Sequence, residues 1–394
     1  MSIGKKILTI NSGSSSLKFA LFRMGEDETR LCFGDLEGIE TDQGRFTVRT
    51  QNGDTLVDRH LPLSDHRTAL QTLLRWIEET HTDSRLDAVG HRIVHGGAEF
   101  IQPHLITPEL STRLEGLIAL APDHLPHEIK AIQAVSQDFP AVRQVACFDT
   151  AFHRSLPHEA RTFALPRNFA QEGIRRYGFH GLSCEYILQE LEKEAGRQVA
   201  SGRLIIAHLG GGASMTAVKA GHSMDTTMGL TPLGGLVMGT RCGDLDPGVP
   251  IYLMRTHRLS VGALDNLLTH QSGLLGVSNI SSDMKELLEK EAEDPHAAEA
   301  ITLFCYQAKK FLGALTSVLG GLDTLVFTGG IGENAPAIRE RVCQGMEYLG
   351  IHLDAARNQV NAPVISLASS PVAVRVMTTD EELIIARHTA ALLQ

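Results

Sequence analysis

Apolar and polar positions alternate in two rhythms along the chain, and the first appears at once. In residues 7–22, ILTINSGSSSLKFALF, an apolar run (Ile7–Ile10) meets a polar turn, Asn11 to Ser16, and then a second apolar run, Leu17–Phe22. That pattern predicts a strand, a tight turn and a return strand. Residues 28–50 alternate loosely and predict further strands, with turns at Gly38 and at Asp42-Gln43-Gly44. Leu70, Leu73, Leu74 and Ile77 fall at helical spacing and predict a helix over 66–80. A short strand follows, Ala88 to Val94, then helices over 108–120 and 126–137, then a buried strand through Val145, Ala146 and Phe148 that Asp149-Thr150 terminates.

The second half opens with a loop-rich, basic stretch, 153–181, and a helix over 183–195. Residues 203–221 then repeat the opening unit, with an apolar strand (Leu204–Ala207), a Gly/Ser turn (His208–Ser214) and a return strand carrying a lysine, Lys219, as the first carries Lys18. Repetition of one supersecondary unit predicts two similar domains facing one another across a cleft, each contributing a loop. Residues 225–250 lack periodicity and hold six glycines, which marks a functional loop. Helical segments fill 260–292, and a long helix 297–319. Residues 322–342 predict a strand, a turn at Gly329, Gly330 and Gly332, and a helix starting near Asn334–Ala337. The last elements are a strand, Val372–Met377, and a helix capped by Thr379 or Asp380 with Glu381 and Glu382 in its first turn.

Composition narrows the function classes. The chain has 394 residues, long enough for two domains, with 43% hydrophobic and 21% charged residues. A net charge of −10 argues against nucleic acid or an anionic membrane as main partner. No apolar stretch reaches the ~20 residues that cross a bilayer. The six cysteines are scattered without a C-x-x-C, which fits free thiols in a reducing cytoplasm. Asn279-Ile280-Ser281 matches a glycosylation sequon, and without a secretory signal it is read as chance. The histidines of the first third, among them His91, His95, His124 and His127, match no metal spacing.

Candidate chemistry gathers at the strand ends. The turn Asn11–Ser16 exposes backbone N–H and hydroxyl donors suited to an anion, or serves as an ordinary polar hairpin turn. Arg92 lies in an apolar strand end, where a charge must be paired or face a ligand. Asp149 ends a strand, where open α/β sheets place ligand chemistry, or caps a turn. Arg175, Arg176 and His180 form a basic group, and Arg241 is the conspicuous charge of the long loop. The glycines at 329–332 admit a nucleotide close to the backbone, although they match neither the Walker pattern nor a full G-x-G-x-x-G.

Taken together, ILTINSGSSSLK (7–18), GHRIVHGG, FDTAFH, GIRRYGFHG, LIIAHLGGGASM (204–215), MGLTPLGGLVMGTR, SGLLGVS, FTGGIGEN and DEELIIAR, in that order, resemble the acetate kinase family of short-chain acid kinases over essentially the whole chain. The resemblance implies an α/β protein of two actin/sugar-kinase/Hsp70-like (ribonuclease H-like) domains, each a mixed five-stranded sheet flanked by helices, with the active site in the cleft between them. The implied domains are 1–151 plus 382–394, and 152–381, the latter binding the nucleotide. The implied reaction is reversible, Mg²⁺-dependent, in-line phosphoryl transfer between ATP and acetate, giving ADP and acetyl phosphate, in a cytoplasmic homodimer, with Mn²⁺ as a substitute metal. The alternatives are a propionate- or butyrate-preferring kinase and a non-catalytic nucleotide-binding homologue.

Residue by residue, the resemblance implies Arg92, Arg241, Asp149 and His180 as the catalytic set. Asn11 and Glu381 would set the metal site. Ser14, Ser16, Lys18, His208, Leu209, Gly210, Gly211, Gly212, Asp283, Gly330, Ile331, Gly332, Glu333 and Asn334 would serve the nucleotide and its phosphates. Arg92, Val94, Phe179 and Pro232, with Asp123 and His124 of the LAPDHLP run, would form the acid pocket. Asp123 stands where the family has leucine, Leu182 and Cys184 where it has Thr and His, Gly211 where it has Asn, Gly234 where it has Glu, and Asp380 where it has Asn. These departures bear on acid selectivity and nucleotide affinity rather than on reaction class.

Overall fold

The computed structural model describes residues 4–81 and 85–393, and the chain divides into two compact units, Met1–Ala151 with Asp380–Gln394, and Phe152–Thr379. The first unit is built on β1 (Lys5–Ser12), β2 (Ser16–Met24), β3 (Glu28–Glu37), β4 (Thr41–Thr50), β5 (Thr55–Leu63), β6 (Ala88–Ile93), β7 (His104–Leu105) and β8 (Arg143–Phe148). They form one sheet in the order β5-β4-β3-β2-β1-β6-β8-β7. The expected five strands are therefore eight. β4 and β5 continue the antiparallel meander, and β7 adds a short antiparallel edge. Within this sheet β3-β2-β1 are antiparallel neighbours, while β6 and β8 run parallel to β1.

The second unit holds β9 (Arg203–Leu209), β10 (Ala213–Lys219), β11 (His222–Thr226), β12 (Thr324–Thr328) and β13 (Ala373–Val376) in the order β11-β10-β9-β12-β13. Its polarity repeats that of the first: β9, β10 and β11 are antiparallel neighbours, and β12 and β13 run parallel to β9. The repeat expected from the two hairpins thus extends to all five core strands.

β1 and β9 are central, and their sequences show why. Ile7, Leu8 and Ile10, like Leu204, Ile205 and Ile206, are all buried, the run expected of strands covered on both faces. In the first unit the helix His66–Thr80 lays Leu70, Leu73, Leu74 and Ile77 onto the core with Leu8, Leu17 and Phe46. Asp65 caps it, accepting from the Thr68 amide at 2.7 Å. The helix Glu381–Leu392 returns to this unit and covers the opposite side, where Ala386 and Leu393 meet Ile7, Phe22 and Ala88. Its approach to β6 is close: a Cβ on Gly90 would stand 2.4 Å from Thr389 Oγ1 and 2.5 Å from Ile385 Cγ2, so only glycine fits. In the second unit the helices Gly181–Ala195 and Pro295–Leu319 accompany the sheet.

Other expectations change. Asp42-Gln43-Gly44 is no turn; it lies within β4, where the register slips between Thr41 and Gly44. Gly44 is required there because a Cβ would sit 2.6 Å from the Leu63 side chain. The glycines after β12 form no separate turn either. They form a short helix of their own, Gly329–Asn334, and the expected helix follows it as Pro336–Cys343. Between β11 and the helix Gly248–Thr256 the chain has no regular element, as the lack of periodicity predicts. Asp380 provides the final cap, accepting from the Leu383 amide at 3.0 Å.

Candidate active site

In the first unit the ends of three neighbouring strands converge on one guanidinium. Arg92, at the end of β6, donates from Nη2 to Asp149 Oδ2 at 2.5 Å and from Nε to Asp149 Oδ1 at 3.2 Å. This is a bidentate fork on a carboxylate that is 1% exposed. Arg92 Nη1 reaches Asn11 Oδ1, from β1, at 3.3 Å, and Nε lies 3.6 Å from Glu381 Oε2 at the start of the terminal helix. Burial works against the charge on Arg92, but Asp149 and Glu381 outweigh it and hold the guanidinium firmly protonated. Burial, with Asp149 and Glu382 adding repulsion, pushes the Glu381 carboxyl above the usual range, and Arg92 opposes them. Asn11, Asp149 and Glu381 supply hard oxygen atoms, the donor type that suits Mg²⁺. Among the described residues no group of three His, Cys, Asp or Glu could by itself cage a metal.

The turn between β1 and β2 is held from below. Gly13 donates its amide to Ser16 O at 2.8 Å, and His66 Nε2 lies 2.7 Å from Gly13 O. Ser14 is exposed and Ser16 half-buried; exposed Lys18 stands opposite Asn11 in the β1–β2 register. Val94 is buried just past β6, and Asp123 and His124 lie half-buried ahead of the helix Leu125–Asp138.

In the second unit two stacked imidazoles take the central place. The rings of His180 and His208 lie 4.2 Å apart and 22° from parallel. His180 has φ +57°, a left-handed conformation at the head of its helix, the kind of local strain that concentrates at functional sites. Its Nδ1 is 2.9 Å from Ser214 Oγ. His208 Nδ1 is 2.8 Å from Ser183 Oγ, which in turn lies 2.9 Å from Thr379 Oγ1. Gly212 stands beside both His180 and Arg241; a Cβ there would be 3.3 Å from His180 Nε2 and 3.7 Å from Arg241 Nη2. Arg241 Nη1 donates to Pro232 O at 2.8 Å. Gly210 and Gly212 close the β9–β10 turn through an amide–carbonyl bond of 3.0 Å, while Gly211 faces open space. Leu209 is fully buried, so it offers this turn only backbone.

The helix Gly329–Asn334 starts directly after β12. Gly329 adopts φ +76°, and a Cβ there would fall 2.8 Å from Leu209 O. Gly330 and Asn334 are exposed and Ile331 half-exposed, whereas Gly332 is buried. Glu333 turns inward: Oε1 accepts from the Gly329 amide at 2.9 Å and the Thr379 amide at 3.2 Å. Asp283 caps the helix Met284–Lys290, accepting from the Lys285 amide at 2.7 Å. Phe179 is buried and Pro232 half-buried.

Several supporting residues escape sequence reading. Arg339 is fully buried and donates to the Gly332 and Glu333 carbonyls at 2.9 and 3.0 Å, bracing the glycine helix from beneath. Ser183, Ser214 and Thr379 orient the histidines. Glu128 lies buried behind Val94, whose amide donates to both its oxygens at 3.2 Å. Leu182 and Cys184, where the family pattern has polar residues, are buried at 2% and 1% exposure, and Cys184 packs with Ile187, Leu204 and Ile206. They belong to the core rather than to the face that presents His180.

A β3-β2-β1-β6-β8 core repeated as β11-β10-β9-β12-β13, with polar groups gathered at strand ends, defines an α/β protein of the actin/sugar-kinase type. The sequence profile of the acetokinase family matches residues 6–387. The chain is 49% identical over 388 residues to the acetate kinase of Rhodopseudomonas palustris (strain TIE-1), covering 97% of each. Its structure is similar to the crystal structure of Porphyromonas gingivalis acetate kinase, with a TM-score of 0.90, 38% identity and coverage of 99% of this chain and 100% of that one. It is also similar to that of a propionate kinase from Francisella tularensis subsp. tularensis SCHU S4, with a TM-score of 0.91, 37% identity and 98% coverage of both. The chain belongs to the acetokinase family.

Proposed function

We propose that this chain is an ATP:acetate phosphotransferase, interconverting ATP and acetate with ADP and acetyl phosphate by direct in-line transfer. The observation that carries the reading is the Arg92–Asp149 fork, a partly exposed guanidinium locked on a buried carboxylate beside Asn11 and Glu381. A locked, charged fork of this kind suits a planar oxyanion.

Acetate is already ionised at pH 7, so no strong base is needed. Its oxygen attacks the γ-phosphorus as the bond to the ADP oxygen breaks, and charge spreads over the three equatorial oxygens. Arg92 holds the acid's carboxylate, and Arg241 neutralises the phosphoryl group. With the Ser214 hydroxyl donating to Nδ1, His180 keeps its proton on Nε2 and donates it to that group as a hydrogen bond. Asp149 fixes the Arg92 fork. The glycine turn Gly210–Gly212 and exposed Gly330 receive the nucleotide. Asn11 and Glu381 would hold Mg²⁺, which supplies neutralisation of phosphate charge.

Trapping acyl phosphate as the hydroxamate, with purified protein, Mg-ATP and acetate, propionate or butyrate, tests the reading. Acetate-dependent hydroxamate is expected, and no product with any acid would sink it. The likeness to a propionate kinase favours one second reading, a preference for the longer acid. A methylene is worth only ~1–3 kcal/mol in such a pocket, so relative kcat/KM decides.

We further propose a homodimer in the cytoplasm. On the helix Gly248–Thr256 no residue is buried, and Ile251 and Tyr252 are 49% and 62% exposed, apolar surface that a second copy would cover. Light scattering at the mass of two chains is the expected result. Free cysteines support the cytoplasm, and among the described residues no helix is long and apolar enough to cross a membrane.

A further inference from the structure

We propose that Arg30 is a positioning residue for Glu381: its ion pair with Asp380 fixes the first turn of the terminal helix, and so sets the carboxylate that the reading above assigns to Mg²⁺. The inference rests on that reading and concerns a residue of β3 that it does not use.

The strand itself puts Arg30 in place. Along β2 and β3, Leu21 pairs with Cys32 but Phe22 pairs with Arg30, so Leu31 is one residue too many. A bulge of this kind turns the side chains beyond it to the other face. Leu21 and Cys32 belong to the core with Leu70 and Leu73, whereas Phe22 and Phe33 meet Ala386 of the terminal helix on the opposite side. In regular alternation Arg30 would share the face of Cys32. Paired with Phe22 instead, it shares the face of the terminal helix. Its guanidinium lies 5.2 Å from the ring centre of Phe22 and 5.5 Å from that of Phe33, a cation laid over two aromatic faces.

Asp380 is the one carboxylate paired with Arg30 among the described residues, through Nη2 and Oδ2. Arg30 Nε is buried with no acceptor among the described residues, which leaves Asp380 as the polar anchor of the group. Asp380 Oδ1 accepts from the Leu383 amide at 3.0 Å. One carboxylate therefore ties β3 to the helix start, one residue before Glu381, whose Oε2 lies 3.6 Å from Arg92 Nε. The Asn of the family pattern could cap the helix but brings no charge to Arg30, so the pair is a feature of this chain. Further along the same helix Arg387 makes a second pair, forking onto Glu28 at 2.8 and 2.7 Å. Docking of the helix and placement of Glu381 can thus be tested apart.

The test compares Arg30→Met, Asp380→Asn and Arg387→Met with the natural chain. Three measurements are made: urea unfolding, the Mg²⁺ dependence of hydroxamate formation, and protein-bound Mn²⁺ by EPR with ADP present. Arg30→Met keeps bulk over Phe22 and Phe33, and Asp380→Asn keeps an acceptor for the Leu383 amide. Arg30→Met should raise the Mg²⁺ concentration for half-maximal rate about tenfold and weaken Mn²⁺ binding by a similar factor. Asp380→Asn should act in the same way, and the double variant should be no worse than the worse single one. Arg387→Met should shift the urea midpoint while moving both metal readouts by less than about twofold. Equal metal shifts in Arg387→Met, unchanged metal readouts in Arg30→Met, additive effects in the double variant, or a natural chain that binds no Mn²⁺ beyond what ADP holds would each overturn the proposal. Should Arg30→Met fail to fold, Asp380→Asn decides by the same readouts. Absence of acid-dependent product from the natural chain at saturating Mg²⁺ would instead remove the kinase reading itself.

Discussion

The two units carry the same five-strand core and finish it in opposite ways. At the ends of β1, β6 and β8 the first unit presents side chains: Asn11, Arg92 and Asp149. At the ends of β9 and β12 the second presents main chain, through Gly210–Gly212 and the helix opening at Gly329, with His180, His208 and Arg241 alongside. The scaffold therefore does not choose the chemistry; the residues at the strand ends do. A small carboxylate has few atoms to grip and calls for a rigid, charged fork. A polyphosphate is long and can be received by many amides, provided that no Cβ intrudes.

The sharpest way to break this contrast is Arg92→Ala. It should lower kcat by about 10²–10³ or more. It also leaves Asp149 buried without its cation, at a cost of roughly 3–5 kcal/mol, read by urea unfolding. A variant with full stability and full rate would show that the fork is ornamental.

A second comparison uses pH. His153, buried in the second unit between Ser223 Oγ at 2.9 Å and Phe179 O at 3.0 Å, is pushed down to about 4, chiefly by burial. Its contribution to stability is full above pH ~6.5, where the unfolded histidine is also neutral, and is lost as pH falls through 4. The loss amounts to up to about 3 kcal/mol, and His153→Gln should flatten that slope. Glu128 in the first unit has the opposite sign, its contribution full below pH ~4.5 and lost as pH rises through about 8.

The smallest effects test the backbone reading. Gly329→Ala meets Leu209 O and a strained φ, so it should cost ~1–3 kcal/mol and raise KM for ATP while sparing KM for acetate. Gly211→Ala enters open space and should change stability by less than ~0.5 kcal/mol. If Gly329→Ala altered KM for acetate instead, the division of labour would be wrong.

How much of this was legible depends on how local the signal is. The two hairpins, the helix His66–Thr80 and the cap at Asp380 follow from residues a few positions apart, and the sequence pattern finds them. β5 does not announce itself: TLVDRHLPL lies mostly exposed and carries little alternation. Gly44 reads as a turn residue, yet it is glycine because Leu63 crosses it. Glu128 falls on the buried face of its helix with Leu125, Ile132 and Val135, yet only tertiary placement puts it behind Val94. Likewise nothing local marks Arg339 as buried.

The return of the helix Glu381–Leu392 to the first unit has a consequence for biosynthesis. β6 leaves the ribosome with Gly90 bare, and the helix that must press against it follows only after the whole second unit. At ~5–20 residues per second the first unit waits on the order of ten to fifty seconds for its last wall. During that interval Ile7, Ala88 and their neighbours lie uncovered, and Arg92 lacks Glu381. The first unit therefore completes its core last, when the same helix both covers Ile7 and Ala88 and delivers the carboxylate.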